Sequence, residues 1–123
     1  QVQKDVNVRL SEPLDLPKSS ACRLFALSNA RGLCVAATKT GFLLHTLRGL
    51  RETFIATERH KTPTLSPECS VDTLSMPEIA AGAVFVGFAR AGEQVLVGFS
   101  NGVIAGWETD RVRAGERVSR TQS

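Results

Sequence analysis

The chain has 123 residues and 13.2 kDa, enough for one small domain, and at 42 % hydrophobic it carries enough apolar side chain to bury a core. Fifteen basic against 12 acidic residues give a net charge of +3, too small an excess to argue for nucleic acid or an anionic surface by itself. No apolar run approaches the ~18 residues that a membrane span needs, no signal-peptide core is visible, and the chain opens at Gln1 without methionine, which reads as a fragment or a processed product.

Residues 1–20 alternate in part and then meet Pro13 and Pro17. Val6–Leu10 is expected as a strand and Ser11–Ser20 as an irregular approach, because each proline removes a ladder donor. Ala21–Ser28 reads as a strand, with a turn at Asn29–Gly32, a second strand at Leu33–Thr38, a glycine corner at Lys39–Gly41 and a third strand at Phe42–Thr46. The period then changes. Leu47, Leu50 and Phe54 make a helical stripe opposed by Arg48, Arg51, Glu52 and Glu58, so Leu47–Thr57 is predicted as a short amphipathic helix that needs the neighbouring sheet to cover it.

Arg59–Glu68 holds two prolines and is expected as a surface loop anchored by Leu65. Cys69–Met76 reads as a further strand. Val84–Trp107 is the most informative stretch, with apolar β-formers broken at Arg90–Glu93 and at Ser100–Gly102. Asn101-Gly102 predicts a two-residue hairpin turn with positive φ at both positions. Glu108–Ser123 carries Arg111, Arg113, Arg117 and Arg120 with few large apolar residues, and its composition predicts an exposed tail.

Leu24–Leu47 superimposes on Phe85–Glu108 without a gap at an offset of 61, which sets Gly41 on Gly102, Val35 on Leu96 and Leu43 on Ile104. The expectation is an all-β chain of two antiparallel β-propeller blades at about 21–47 and 84–108. A short helical insert at 47–68 separates them, all within a partial propeller spanning 1–110, with 111–123 as the tail. Two blades do not close a ring, so the remaining blades or another copy of the chain are expected to cover the sheet edges.

The chemistry of sites is sparse. Cys22, Cys34 and Cys69 make no C-x-x-C pair, and His45 and His60 add no metal-ligand spacing, so no metal or cofactor is expected and the thiols read as buried and reduced, as in cytosol or nucleus. Neither a G-x-S-x-G nor a phosphate loop is present, and no enzyme is expected. Arg48, Arg51, Arg59 and Lys61 form the basic run that could meet an acidic partner. An alternative reading makes the chain a basic RNA-associated module acting through 48–61 and the tail, although the tail lacks the aromatic residues that single-strand binders interleave.

The run CRLFALSNARGLCVAATKTGFLLHTLRGLRETF, followed by MPEIAAGAVFVGFARAGEQVLVGFSNGVIAGWE, resembles the opening blades of the N-terminal propeller of the cytoplasmic-face nucleoporins that recruit the DEAD-box mRNA-export helicase. The order of Leu27-Ser28-Asn29, Cys34–Ala37, Val84–Phe88 and Gln94–Gly98 carries the likeness. The resemblance implies a seven-bladed, non-enzymatic scaffold at the nuclear pore, without membrane insertion, that docks a DEAD-box helicase and other nucleoporins. It transfers no helicase-contacting residue to a position of this chain.

Overall fold

A computed structural model describes residues 7–10, 23–58, 60–116 and 119–122. Two four-stranded antiparallel sheets carry the fold. Sheet 1 is formed by β1 (Phe25–Ser28), β2 (Leu33–Ala37), β3 (Gly41–Thr46) and β4 (Cys69–Asp72), in that order across the sheet. Sheet 2 repeats the plan with β5 (Ala83–Ala89), β6 (Gln94–Phe99), β7 (Ile104–Glu108) and β8 (Arg120–Gln122). A helix follows the third strand each time, α1 (Leu47–Ala56) after β3 and α2 (Thr109–Arg113) after β7. The all-β, antiparallel reading with a short helix is therefore correct.

The repeat is visible in the hydrogen bonds. Val35 faces Ala26 and Val97 faces Val86, so the first hairpin of each sheet keeps one register. The Leu47 amide donates to the Gly32 carbonyl at 2.8 Å, and the Thr109 amide donates to the Glu93 carbonyl at 2.9 Å, fixing both helix starts over the first turn of their own sheet.

The second hairpin slips. Thr38 bonds to the Gly41 carbonyl, but Phe99 bonds to that of Val103, because the turn of sheet 2 is one residue longer. Past that turn the equivalences move by one: Phe42 matches Ile104, Leu43 matches Ala105 and His45 matches Trp107. Gly41 and Gly102 are accordingly not equivalent, as the ungapped alignment had them. Gly41 begins a strand opposite Asp72, whereas Gly102 closes a turn at φ +87 in open space.

That turn is not the one its sequence predicts. Asn101 does not take a positive φ; its side chain donates to the Ile79 carbonyl at 2.8 Å and accepts from the Val103 amide at 3.2 Å. The left-handed pair falls instead at Arg90 and Ala91, φ 54 and 53, ahead of Gly92 at φ 88. An asparagine spent on anchoring the loop to Ile79 is not free to adopt the hairpin geometry.

The sheets stack on opposite faces. Sheet 1 turns Val35, Ala37, Phe42 and Leu44 toward the shared core, and sheet 2 answers with Val86, Val95, Val97, Phe99 and Trp107. In the repeat, these residues of sheet 2 correspond to Phe25, Cys34, Ala36, Thr38 and His45, which lie on the other side of sheet 1. The packing is head to tail, and β1 runs beside β5 in parallel, with Arg23 bridging Phe85. Trp107 is the central piece, edge-on to Phe42 at 4.8 Å and to Phe99 at 6.5 Å.

Most described residues after Trp107 are exposed, as their composition predicts, but they are built into the fold by two attachments. Val112 is buried in the core cluster, and Arg120–Gln122 pair with β7 as the last strand of sheet 2. The free edge of β7 supplies the backbone partners that composition cannot register. At the other end, the expected strand Val6–Leu10 is reduced, among its described residues, to a bridge between Arg9 and Thr64. Val6, the approach segment 11–20 and Cys22 lie outside the described residues, as do Arg117 and Val118.

Candidate partner-binding surfaces

α1 carries the basic run expected to meet a partner. Thr46 ends β3 in extended conformation and caps the helix, its hydroxyl accepting from the Gly49 amide at 2.9 Å. Thr53 Oγ1 donates back to the Gly49 carbonyl at 2.8 Å, which steadies the turn that glycine weakens. Arg48 and Arg51 stand on its exposed side. Arg48 pairs with Glu52 at 3.2 Å, one helical turn on, and Lys61 pairs with Glu58 at 3.1 Å. Arg59 lies outside the described residues.

Two of the three described cations are thus spent on acids of their own segment. Pairs this exposed are worth little, about 0.3–0.5 kcal/mol, so they lower the local positive potential without locking a geometry. The apolar stripe is also only partly covered. Leu47 and Leu50 are half-buried, Phe54 is exposed and Ile55 is 72 % exposed, so no residue of α1 is buried. The sheet does not cover the helix as its periodicity requires.

A charged cleft of about 430 Å³ lies where the first turn of each sheet meets the start of α2. Arg31 of the β1–β2 turn pairs with Asp110, and Arg90 and Arg120 project beside Glu93 and Glu108. Gly92 makes the approach possible, since a Cβ there would overlap Ser28 Oγ. Thr109 Oγ1 donates to the Gly92 carbonyl at 2.7 Å and ties α2 into the same corner. Arg113 completes the fastening by pairing with Glu68, the residue before β4. Both signs alternate around the cleft, which makes it a clasp between the sheets more than an anion site. Sequence reading names these arginines as turn and tail residues; their convergence depends on the fold.

Of the described cysteines, Cys34 is buried and Cys69 half-buried. Burial pushes the Cys34 thiol up to about 11, a hydrogen bond to the His45 backbone opposing this only in part. Burial also raises Cys69, helped by the negative charge of Glu68 and opposed by Arg113. His45 is buried with Nε2 donating to the Leu10 carbonyl at 3.0 Å, and His60 is exposed at φ 72. No group of three His, Cys, Asp or Glu side chains is placed to hold a metal ion among the described residues. Among them, too, no helix is long and apolar enough to cross a membrane.

The outer face of sheet 2 is apolar and open. Phe85 is 44 % and Ile104 55 % exposed, with Leu96 half-buried between them. Gly87, Gly98 and Gly106 stand opposite them in the register; Phe85 lies across Gly87 and Gly98 at 3.4 Å from where a Cβ would sit, and Gln94 Nε2 (2.7 Å) and Leu96 (3.4 Å) lie across Gly106. The Arg23 guanidinium is over the Phe85 ring at 5.8 Å. The alternation of large residue and glycine is the sequence signal of this face.

No protein-family model, curated protein or solved structure matches the chain.

Proposed function

We propose that the chain is part of a non-enzymatic β-propeller scaffold of the nucleoporin type, acting at the cytoplasmic face of the nuclear pore in mRNA export and docking partner proteins there. The DEAD-box export helicase is the first partner to test. The observation that carries the reading is the head-to-tail stacking of two like sheets with their first strands side by side and parallel. Radial repetition needs that relation, because each unit must offer its neighbour the face that the neighbour does not itself offer onward. A two-fold sandwich would instead bring equivalent faces together.

The nucleoporin identity rests on the ordered motifs of Leu27–Asn29, Cys34–Ala37, Val84–Phe88 and Gln94–Gly98. The exposed apolar residues of α1, Phe54 and Ile55, beside Arg48 and Arg51, make that helix the foremost docking element of the scaffold. The RNA-associated alternative is the weaker reading, since Arg48, Lys61, Arg111 and Arg113 are paired with acids of the chain.

Calorimetric titration with the purified helicase at physiological salt, beside a labelled single-stranded RNA, tests the proposal. Helicase binding that weakens on Phe54→Ala together with Arg51→Ala supports it. Absence of helicase binding, together with RNA affinity that falls steeply with added salt, transfers the function to the RNA reading.

A further inference from the structure

The loop between α1 and β4 carries two hydroxyl–proline steps, Thr62-Pro63 and Ser66-Pro67, and no other serine or threonine of the chain precedes a proline. Burial alternates along this loop. Thr62, Thr64 and Ser66 are exposed, whereas Pro63 and Leu65 are half-buried, so the three hydroxyl-bearing residues stand on its outward side.

The two steps differ in how they are held. The Arg9 amide donates to the Pro63 carbonyl at 2.9 Å and the Leu65 amide donates to the Arg9 carbonyl at 3.0 Å, which ties the first step to the N-terminal segment. The next fastening is the Glu68 amide, donating to the Leu44 carbonyl at 2.8 Å. Between these anchors Ser66 and Pro67 make no backbone hydrogen bond to a described residue, and Pro67, unlike Pro63, is exposed. A proline fixes its own φ and turns the residue before it away from helical geometry, so Ser66 is biased toward an extended conformation with its hydroxyl beside an open ring. An extended segment, a free hydroxyl and a following residue without an N–H are what a proline-directed protein kinase reads.

We propose that Ser66 is the phosphate acceptor for a proline-directed protein kinase, with ATP as the donor. Ser66 Oγ attacks the γ-phosphorus; the Oγ–P bond forms as the bond to the β,γ-bridging oxygen breaks, ADP leaves, and the hydroxyl proton passes to the kinase's catalytic base. The product carries roughly −1.5 to −2 charge at a point two residues from Thr64, the bridge partner of Arg9, and two residues from Glu68, the partner of Arg113. Two residues of extended chain span at most about 7 Å, so the phosphate falls near two cations able to receive it in charge-assisted hydrogen bonds. The assignment does not depend on the pore reading.

Incubation of the full chain with ATP and a purified proline-directed protein kinase, the phosphate being located by tandem mass spectrometry, tests it. Phosphate is expected on Ser66 ahead of Thr62, and none on Thr64, which shares the loop and the exposure but precedes Leu65. Pro67→Ala keeps the hydroxyl and is expected to slow labelling of Ser66 at least about tenfold. Circular dichroism confirms that this variant keeps its sheets. No phosphate on Ser66, labelling of Thr62 at the same rate or faster, labelling of Thr64, or labelling of Ser66 indifferent to Pro67→Ala overturns the proposal.

Discussion

His45 and Trp107 hold the same place in the two sheets, one residue before the end of the third strand, yet they face opposite environments. The Trp107 ring is packed between the sheets against Phe42, while His45 points away from the shared core and donates to the Leu10 carbonyl. This follows from head-to-tail stacking: the face that is interior in one unit is exterior in the other. It also makes Trp107 a reporter for the junction between the sheets.

Trp107→Ala removes the largest fully buried side chain at that junction. The expected loss is about 3–5 kcal/mol, a large part of the roughly 5–15 kcal/mol that holds a domain folded. Trp107→Phe keeps an aromatic contact and should cost about 2 kcal/mol or less; the indole Nε1 has no hydrogen-bond partner to lose among the described residues. Urea unfolding followed by circular dichroism measures both.

Gly41→Ala and Gly102→Ala should separate sharply. A Cβ at Gly41 would overlap the Val71 carbonyl oxygen and come within 2.9 Å of the Thr73 amide nitrogen, both backbone atoms at β4 and just beyond it. Prising β4 from β3 costs about 3 kcal/mol or more. At Gly102 the space is open and only the positive φ is penalised, by about 1 kcal/mol. Equal effects in thermal unfolding would contradict the one-residue slip between the two hairpins.

Ala91→Gly should stabilise the protein. Ala91 is exposed and held at φ 53, where a Cβ costs about 1–2 kcal/mol, partly offset by the entropy that glycine gains in the unfolded chain. A net gain of about 0.5–1 kcal/mol corresponds to a rise of about 2–5 °C in Tm, readable by scanning calorimetry.

Alkaline pH should destabilise the fold through Cys34. Its thiol is pushed from the ordinary 9.0 to about 11 in the folded chain, so between these values the unfolded state loses the proton and the folded state keeps it. The unfolded state then binds fewer protons, and stability falls as pH rises, by at most about 1.4 kcal/mol per pH unit from this group. The contribution is fully present below pH 9. Comparing wild type with Cys34→Ala from pH 8 to about 11 isolates it, the variant showing the shallower decline.

The sequence by itself determined the local elements. Runs of apolar β-formers between turn signals located seven of the strands, the i, i+3, i+7 stripe located α1, and the offset of 61 exposed two like units, because these signals arise from neighbours along the chain. Tertiary structure decided which face of each strand is interior, since a period of two marks two faces and cannot say where the other sheet lies. It drew Asn101 onto the Ile79 carbonyl and moved the left-handed turn to Arg90-Ala91. It also gave the arginine-bearing end a strand through the free edge of β7, and brought Arg31, Asp110, Arg113 and Glu68 into the clasp between the sheets. Each of these outcomes depends on a partner distant in sequence, whose hydrogen bond or charge outweighs the local preference.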